Sequence, residues 1–98
     1  MADAEVLALP AEVTMGRAPA LVAEVDAAVA RSSGGLRIDA SALAELDTSA
    51  IALLLHASRA ARAKALQLEV SGTPPKLREL ARLYGVLELL PLKAGLEG

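Results

Sequence analysis

The sequence predicts an α/β fold in which short strands alternate with helices and pair in parallel. Three observations point there. Leu66-Gln67-Leu68-Glu69-Val70 alternates with the period of two that suits a strand. Leu21, Val22, Val25 and Val29 recur at spacings of three and four, as on one face of a helix. Gly and Pro punctuate the chain between such segments, giving the order strand, strand, helix, strand, helix, strand, helix.

Val6 to Leu9 ends at Pro10 and reads as a first strand, with Glu12-Val13-Thr14 as a second. Gly16 interrupts it. Pro19 falls where a first helical turn tolerates a missing N–H, and the Leu21–Val29 stripe follows, with Glu24 and Asp26 turned elsewhere. Gly34-Gly35 ends that helix and frees the backbone to enter the strand Leu36-Arg37-Ile38-Asp39. A brief polar-apolar link then leads through Ala40-Ser41 to Asp47-Thr48-Ser49-Ala50 and a helix from Thr48 to Lys64. Its expected core stripe is Ile51, Leu54, Leu55, Ser58 and Ala61. Arg59, Arg62 and Lys64 crowd its final turns, where positive charge suits a helix C-terminus. After the strand that ends at Val70, Ser71-Gly72 turns the chain. Thr73-Pro74-Pro75 opens a last long helix, with Leu77, Leu80, Ala81 and Tyr84 on one face and Gly85 closing it. Val86 to Pro91 is expected to form a brief strand or helical turn.

Ninety-eight residues suffice for one domain with a single core, and no internal repeat or linker divides the chain. The apolar fraction of 54 % comes mostly from Ala and Leu, with Tyr84 the only aromatic, which favours helices over an all-β sandwich. No cysteine is present, so disulfides and thiolate metal sites are excluded. The net charge of −2 argues against a nucleic-acid partner. Acidic residues dominate through Asp47 and basic ones beyond it, a hint of a mildly basic face. No apolar run approaches the ~18–20 residues of a bilayer span, and the acidic start Met1-Ala2-Asp3-Ala4-Glu5 lacks the basic opening of a secretory signal. The expectation is a soluble, cytoplasmic chain without direct membrane insertion. No metal-ligand spacing and no Gly-rich phosphate loop occurs, so no cofactor is expected.

The chemistry concentrates at Asp47-Thr48-Ser49. Three oxygen-bearing side chains stand in a row where a helix must begin. They can cap its free N–H groups. A helix start also favours phosphate through its unpaired donors and partial positive charge, and phosphorylating Ser49 or Thr48 would add about −1.5 to −2 charges there. The same tip could meet a partner protein. Catalysis is not among the options: Ser49 and His56 lie seven positions apart, about 10 Å along a helix, far beyond proton-transfer reach. Leu53, Ala57 and Ala60 fall off the expected core stripe beside His56. They suggest a second, approachable face unless another helix of the same domain covers them.

Leu36-Arg37-Ile38-Asp39-Ala40-Ser41, then Asp47-Thr48-Ser49-Ala50 with its leucine-rich helix, then Leu68-Glu69-Val70-Ser71-Gly72 and Leu80 through Pro91 resemble the STAS domain. That family takes its name from sulfate transporters and anti-sigma-factor antagonists. The resemblance covers essentially the whole chain, residues 1–98. It implies a small mixed sheet of about four strands packed with about four helices, and protein binding rather than catalysis. Asp47-Thr48 followed by Ile51-Ala52-Leu53-Leu54-Leu55-His56, with Ala81-Arg82-Leu83-Tyr84 running on to Leu90-Pro91, is most similar to the family's MlaB-type members. Those are accessory subunits of the ABC transporter that maintains outer-membrane lipid asymmetry.

This implies docking on the transporter's ATPase subunit, peripheral to the inner membrane, with Thr48 matching a threonine important to the contact. Asp47, Thr48, Ser49, Leu53 and His56 are the expected partner-binding residues, and a weak homodimer is a further option. The phosphoregulated antagonists of the family usually carry Asp-Ser-Ser-Gly, the second serine being modified by an anti-sigma-factor kinase. Ser49 occupies that place, with Ala50 where the glycine would stand.

Overall fold

The computed structural model describes residues 5–90. The acidic start before Glu5, and Pro91 at the end of the expected last element, lie outside them. Strands β1 (Glu5–Ala8) and β2 (Glu12–Val13) lead into α1 (Ala18–Arg31). Then come β3 (Gly35–Asp39), β4 (Glu45–Leu46) and α2 (Thr48–Ala63), followed by β5 (Gln67–Ser71), α3 (Pro75–Leu83) and a 3-10 turn at Leu87–Leu89.

The fold is α/β, as expected. The strands form two small parallel sheets rather than a single mixed one. β3 lies between β1 and β5 in the larger sheet, with Leu7 opposite Ile38, Leu36 opposite Leu68 and Ile38 opposite Val70. In the smaller sheet Glu12 pairs with Glu45 and Val13 with Leu46. Backbone bonds extend both pairings past the strand ends: the Leu9 N–H donates to Asp39 O at 2.9 Å beside β1 and β3, and the Ala44 and Glu45 amides both donate to Ala11 O at 2.8 Å beside β2 and β4. Strand β4 was read as a link in the sequence because two residues carry no periodicity. Among the described residues three α-helices and the 3-10 turn stand where about four helices were expected.

Strand alternation sorts the larger sheet into two faces. Leu36, Ile38 and Val70 point into the core, while Val6 is exposed and Arg37 meets Glu69 at 3.9 Å on the opposite face. The core unites Val13, Val25, Leu36, Ile38, Leu53, Leu54, Val70 and Leu77, each fully buried. Burying one such side chain contributes about 1.5–3 kcal/mol. The sheet thus supplies one wall and α1, α2 and α3 the other.

Two helices end in the same way. At the end of α3 the Val86 amide bonds to Ala81 O at 2.9 Å and the Gly85 amide to Arg82 O at 3.0 Å, with Gly85 at φ 71°. This is the double bond of a Schellman cap, which needs a left-handed residue. At the end of α2 the Leu66 amide bonds to Ala61 O at 2.8 Å and the Ala65 amide to Arg62 O at 3.0 Å, but the left-handed residue is Ala65 at φ 58°. Tyr84, expected on the core face of the last helix, is its exposed C-terminal cap.

The ends of the helices α1 and α2 are tied by polar bonds. Lys64 Nζ donates to Val29 O at 2.8 Å and Ala30 O at 2.9 Å, placing a cation on the carbonyl end of α1. Ser32 Oγ donates to Ala28 O at 2.7 Å and closes the same end from inside.

Candidate functional site

Helix α2 begins where it does because of Asp47. This residue is extended (φ −134°, ψ −164°), and its carboxylate accepts the Ser49 N–H at 2.8 Å through Oδ1. Oδ2 of the same carboxylate accepts the Met15 N–H at 3.2 Å, from the loop between β2 and α1. The Asp47 amide itself donates to Val13 O at 3.3 Å. One side chain therefore caps the helix and fixes a neighbouring loop.

The Ser49 amide is the main reason the Asp47 carboxyl sits below its ordinary range. Some loss of water contact pushes it upward without cancelling the effect, and the Met15 amide and the Ser49 hydroxyl lower it further. Asp39, at the end of β3, is lowered likewise, first by the Ser41 amide, which donates to its Oδ1 at 2.9 Å. Both acids brace the segment that leads to Thr48.

A pH dependence follows from the sign of these shifts. A carboxyl whose folded value lies below its unfolded value stabilises the fold above the ordinary carboxylate range near pH 4, and this contribution is lost as pH falls through and below it. Thermal unfolding followed by circular dichroism between pH 6 and pH 2.5 should show stability declining towards acid. The Asp47→Ala variant should be less stable at pH 6 and decline less steeply. Parallel curves for the two proteins would contradict the cap.

The expected site residues do not gather in one place. Thr48, the first residue of α2, is exposed, and Ser49 is half-buried behind it with its amide held by Asp47. His56 lies eight residues on, about 12 Å along the helix. Its Nε2 sits 2.7 Å from Asp26 Oδ1 of α1, so it joins two helices at their surface rather than belonging to the tip. Leu53 is corrected outright. It is 2 % exposed and packs in the core, as does Ala57, because α1 lies over the face that sequence spacing left open. The core stripe of α2 is rotated accordingly: Ala50, Ile51, Leu53, Leu54, Ala57 and Ala61 are buried, while Leu55 and Ser58 are only half-buried.

Met15 is the residue that sequence reasoning missed. It is 74 % exposed, yet its amide is held by Asp47, so its backbone is tied to the residue that caps α2. No local pattern marks it, because the bond that positions it joins residues 32 apart. The start of α2 thus presents the exposed Thr48, with the Met15 loop tied to its capping residue. Among the described residues no cluster of three or more His, Cys, Asp or Glu could hold a metal ion. No helix there is long and apolar enough to cross a membrane.

The family model described as "Mlab, STAS domain" matches residues 1–91. Among solved structures, the chain is similar to that titled "Structure of the Anti-Sigma Factor Antagonist SpoIIAA in its Unphosphorylated Form". The TM-score is 0.74 with 19 % sequence identity, over 99 % of this chain and 85 % of that one. No curated protein matches.

Proposed function

The chain belongs to the STAS domain family, and from that footing we propose that it is a non-enzymatic accessory subunit. Its role would be to bind and stabilise or activate the cytoplasmic ATPase of a phospholipid-transporting ABC complex, lying peripheral to the inner membrane through that partner. The observation that carries this reading is the exposed Thr48 at a helix tip braced from two sides by Asp47. A tip held by two hydrogen bonds loses little freedom on docking, and the loop tied to it carries the exposed Met15. The match to the MlaB-type model supports the choice of an ATPase as partner.

The test is co-expression with the candidate ATPase. Thr48→Arg places a cation and a long side chain on the tip, and should abolish co-purification. The fold should lose little, about 0.3–1 kcal/mol, from a cation at a helix N-terminus. An intact complex with the variant would overturn the reading.

A second reading is favoured by the hold of the Asp47 carboxylate on the Ser49 amide and by the likeness to SpoIIAA, an anti-sigma-factor antagonist. A phosphate on Ser49 would bring about −1.5 to −2 charges against that carboxylate, loosening both the helix cap and the Met15 loop. Partner choice would then be controlled by an anti-sigma-factor kinase. Intact-mass measurement of protein from its native host distinguishes the two: an added phosphate at Ser49 or Thr48 favours the regulator.

A further inference from the structure

The second half of α2 and the 3-10 turn form a groove that the Thr48 tip does not reach. Leu55, Ser58, Arg59 and Arg62 make one wall and Leu89 the other, around about 270 Å3. Arg59 stands eleven residues beyond Thr48, about 16 Å along the helix. Leu89 is 61 % exposed although it faces the half-buried Leu55, so apolar surface on both walls meets water. Arg59 and Arg62 are three apart, hence neighbours on the helix surface. Both are exposed, and among the described residues neither guanidinium has a hydrogen bond or ion pair. The helix dipole accounts for a cation in the last turn, where Arg62 lies. It does not account for an exposed leucine opposite.

We propose that this groove docks an acidic amphipathic helix of a partner protein. The helix's aliphatic side chains fill the gap between Leu55 and Leu89, and its carboxylates pair with Arg59 and Arg62. Charge selects this occupant. Two arginine forks at helical spacing match carboxylates spaced along one face of a facing helix. A second copy docked groove to groove, with the two-fold axis through the groove, would bring the two arginine pairs together, where they repel. Glu88, exposed on the same 3-10 turn, opposes a flat anionic lipid surface but leaves room for a helix to pass.

The test uses the full chain and two synthetic helical peptides, each with a leucine stripe at i, i+4 spacing. One is flanked by glutamates and the other by lysines. The glutamate peptide should bind, with amide shifts confined to the region of Leu55, Arg59 and Leu89. Arg59→Glu with Arg62→Glu should weaken it about tenfold or more, and the lysine peptide should bind that double variant instead. Leu89→Ser should weaken both pairings, and Thr48→Arg should leave them unchanged, which separates this groove from the tip. Equal binding of both peptides, binding of neither, or sensitivity to Thr48→Arg overturns the proposal. So does arginine-dependent binding to phosphatidylglycerol vesicles without peptide binding, which would assign the groove to a lipid surface.

Discussion

Gly72→Ala is expected to destabilise the protein by about 2–5 kcal/mol. Two independent costs combine. Gly72 has φ +70°, a left-handed conformation that costs a residue with a Cβ about 1–2 kcal/mol. A Cβ built there would lie 2.9 Å from the Ser41 backbone nitrogen and 3.0 Å from its Cα. Backbone cannot swing aside as a side-chain tip can, so overpacking adds about 1–3 kcal/mol. The approach is close because the Ala40 amide donates to Ser71 O at 2.8 Å, binding the ends of β3 and β5 together. Chemical denaturation should show the midpoint falling with the slope unchanged. Gly16→Ala serves as control, since nothing lies within 4 Å of its Cβ and its φ is not positive; it should stay within about 0.5 kcal/mol of the parent. Equal midpoints for the two variants would refute the contact.

Leu53→Ala is expected to cost about 2–5 kcal/mol, the range for removing a fully enclosed leucine and leaving a void. The side chain is 2 % exposed and joined to the core that α1, α2 and the larger sheet share. Its effect on partner binding should follow only from lost folded protein. At a temperature where the variant remains folded, affinity for the partner should equal that of the parent, whereas Thr48→Arg should show the reverse pattern. A Leu53→Ala protein with unchanged unfolding and impaired docking would return this residue to the surface.

The contrast between Leu53 and Thr48 shows what the sequence could and could not reveal. Elements with a strong period were legible: β5 from its alternation, α1 from its valine spacing, and α2 from the oxygen-bearing residues before its apolar run. That a cap lies within Asp47-Thr48-Ser49 was readable too, because capping is local chemistry, and the structure gives the role to Asp47. The rotation of the buried stripe on α2 was not. A leucine- and alanine-rich helix is apolar on more than one face, so its sequence does not say which face the neighbouring helix covers. Strand β4 escaped because two residues have no period, and Met15 because its role rests on a bond from a distant carboxylate. Long-range contacts, not local preference, decided each of these.

The polar ties between α1 and α2 have a mechanical consequence. Alanines such as Ala28, Ala57 and Ala61 give the buried sides of these helices low relief, with few knobs to resist slippage. Lys64 on the carbonyls of Val29 and Ala30 fixes one point, and His56 against Asp26 fixes a second, two turns away. Two such ties resist sliding and swivelling of α2 on α1, so a load placed at Thr48 would be shared between the two helices rather than spent in the first.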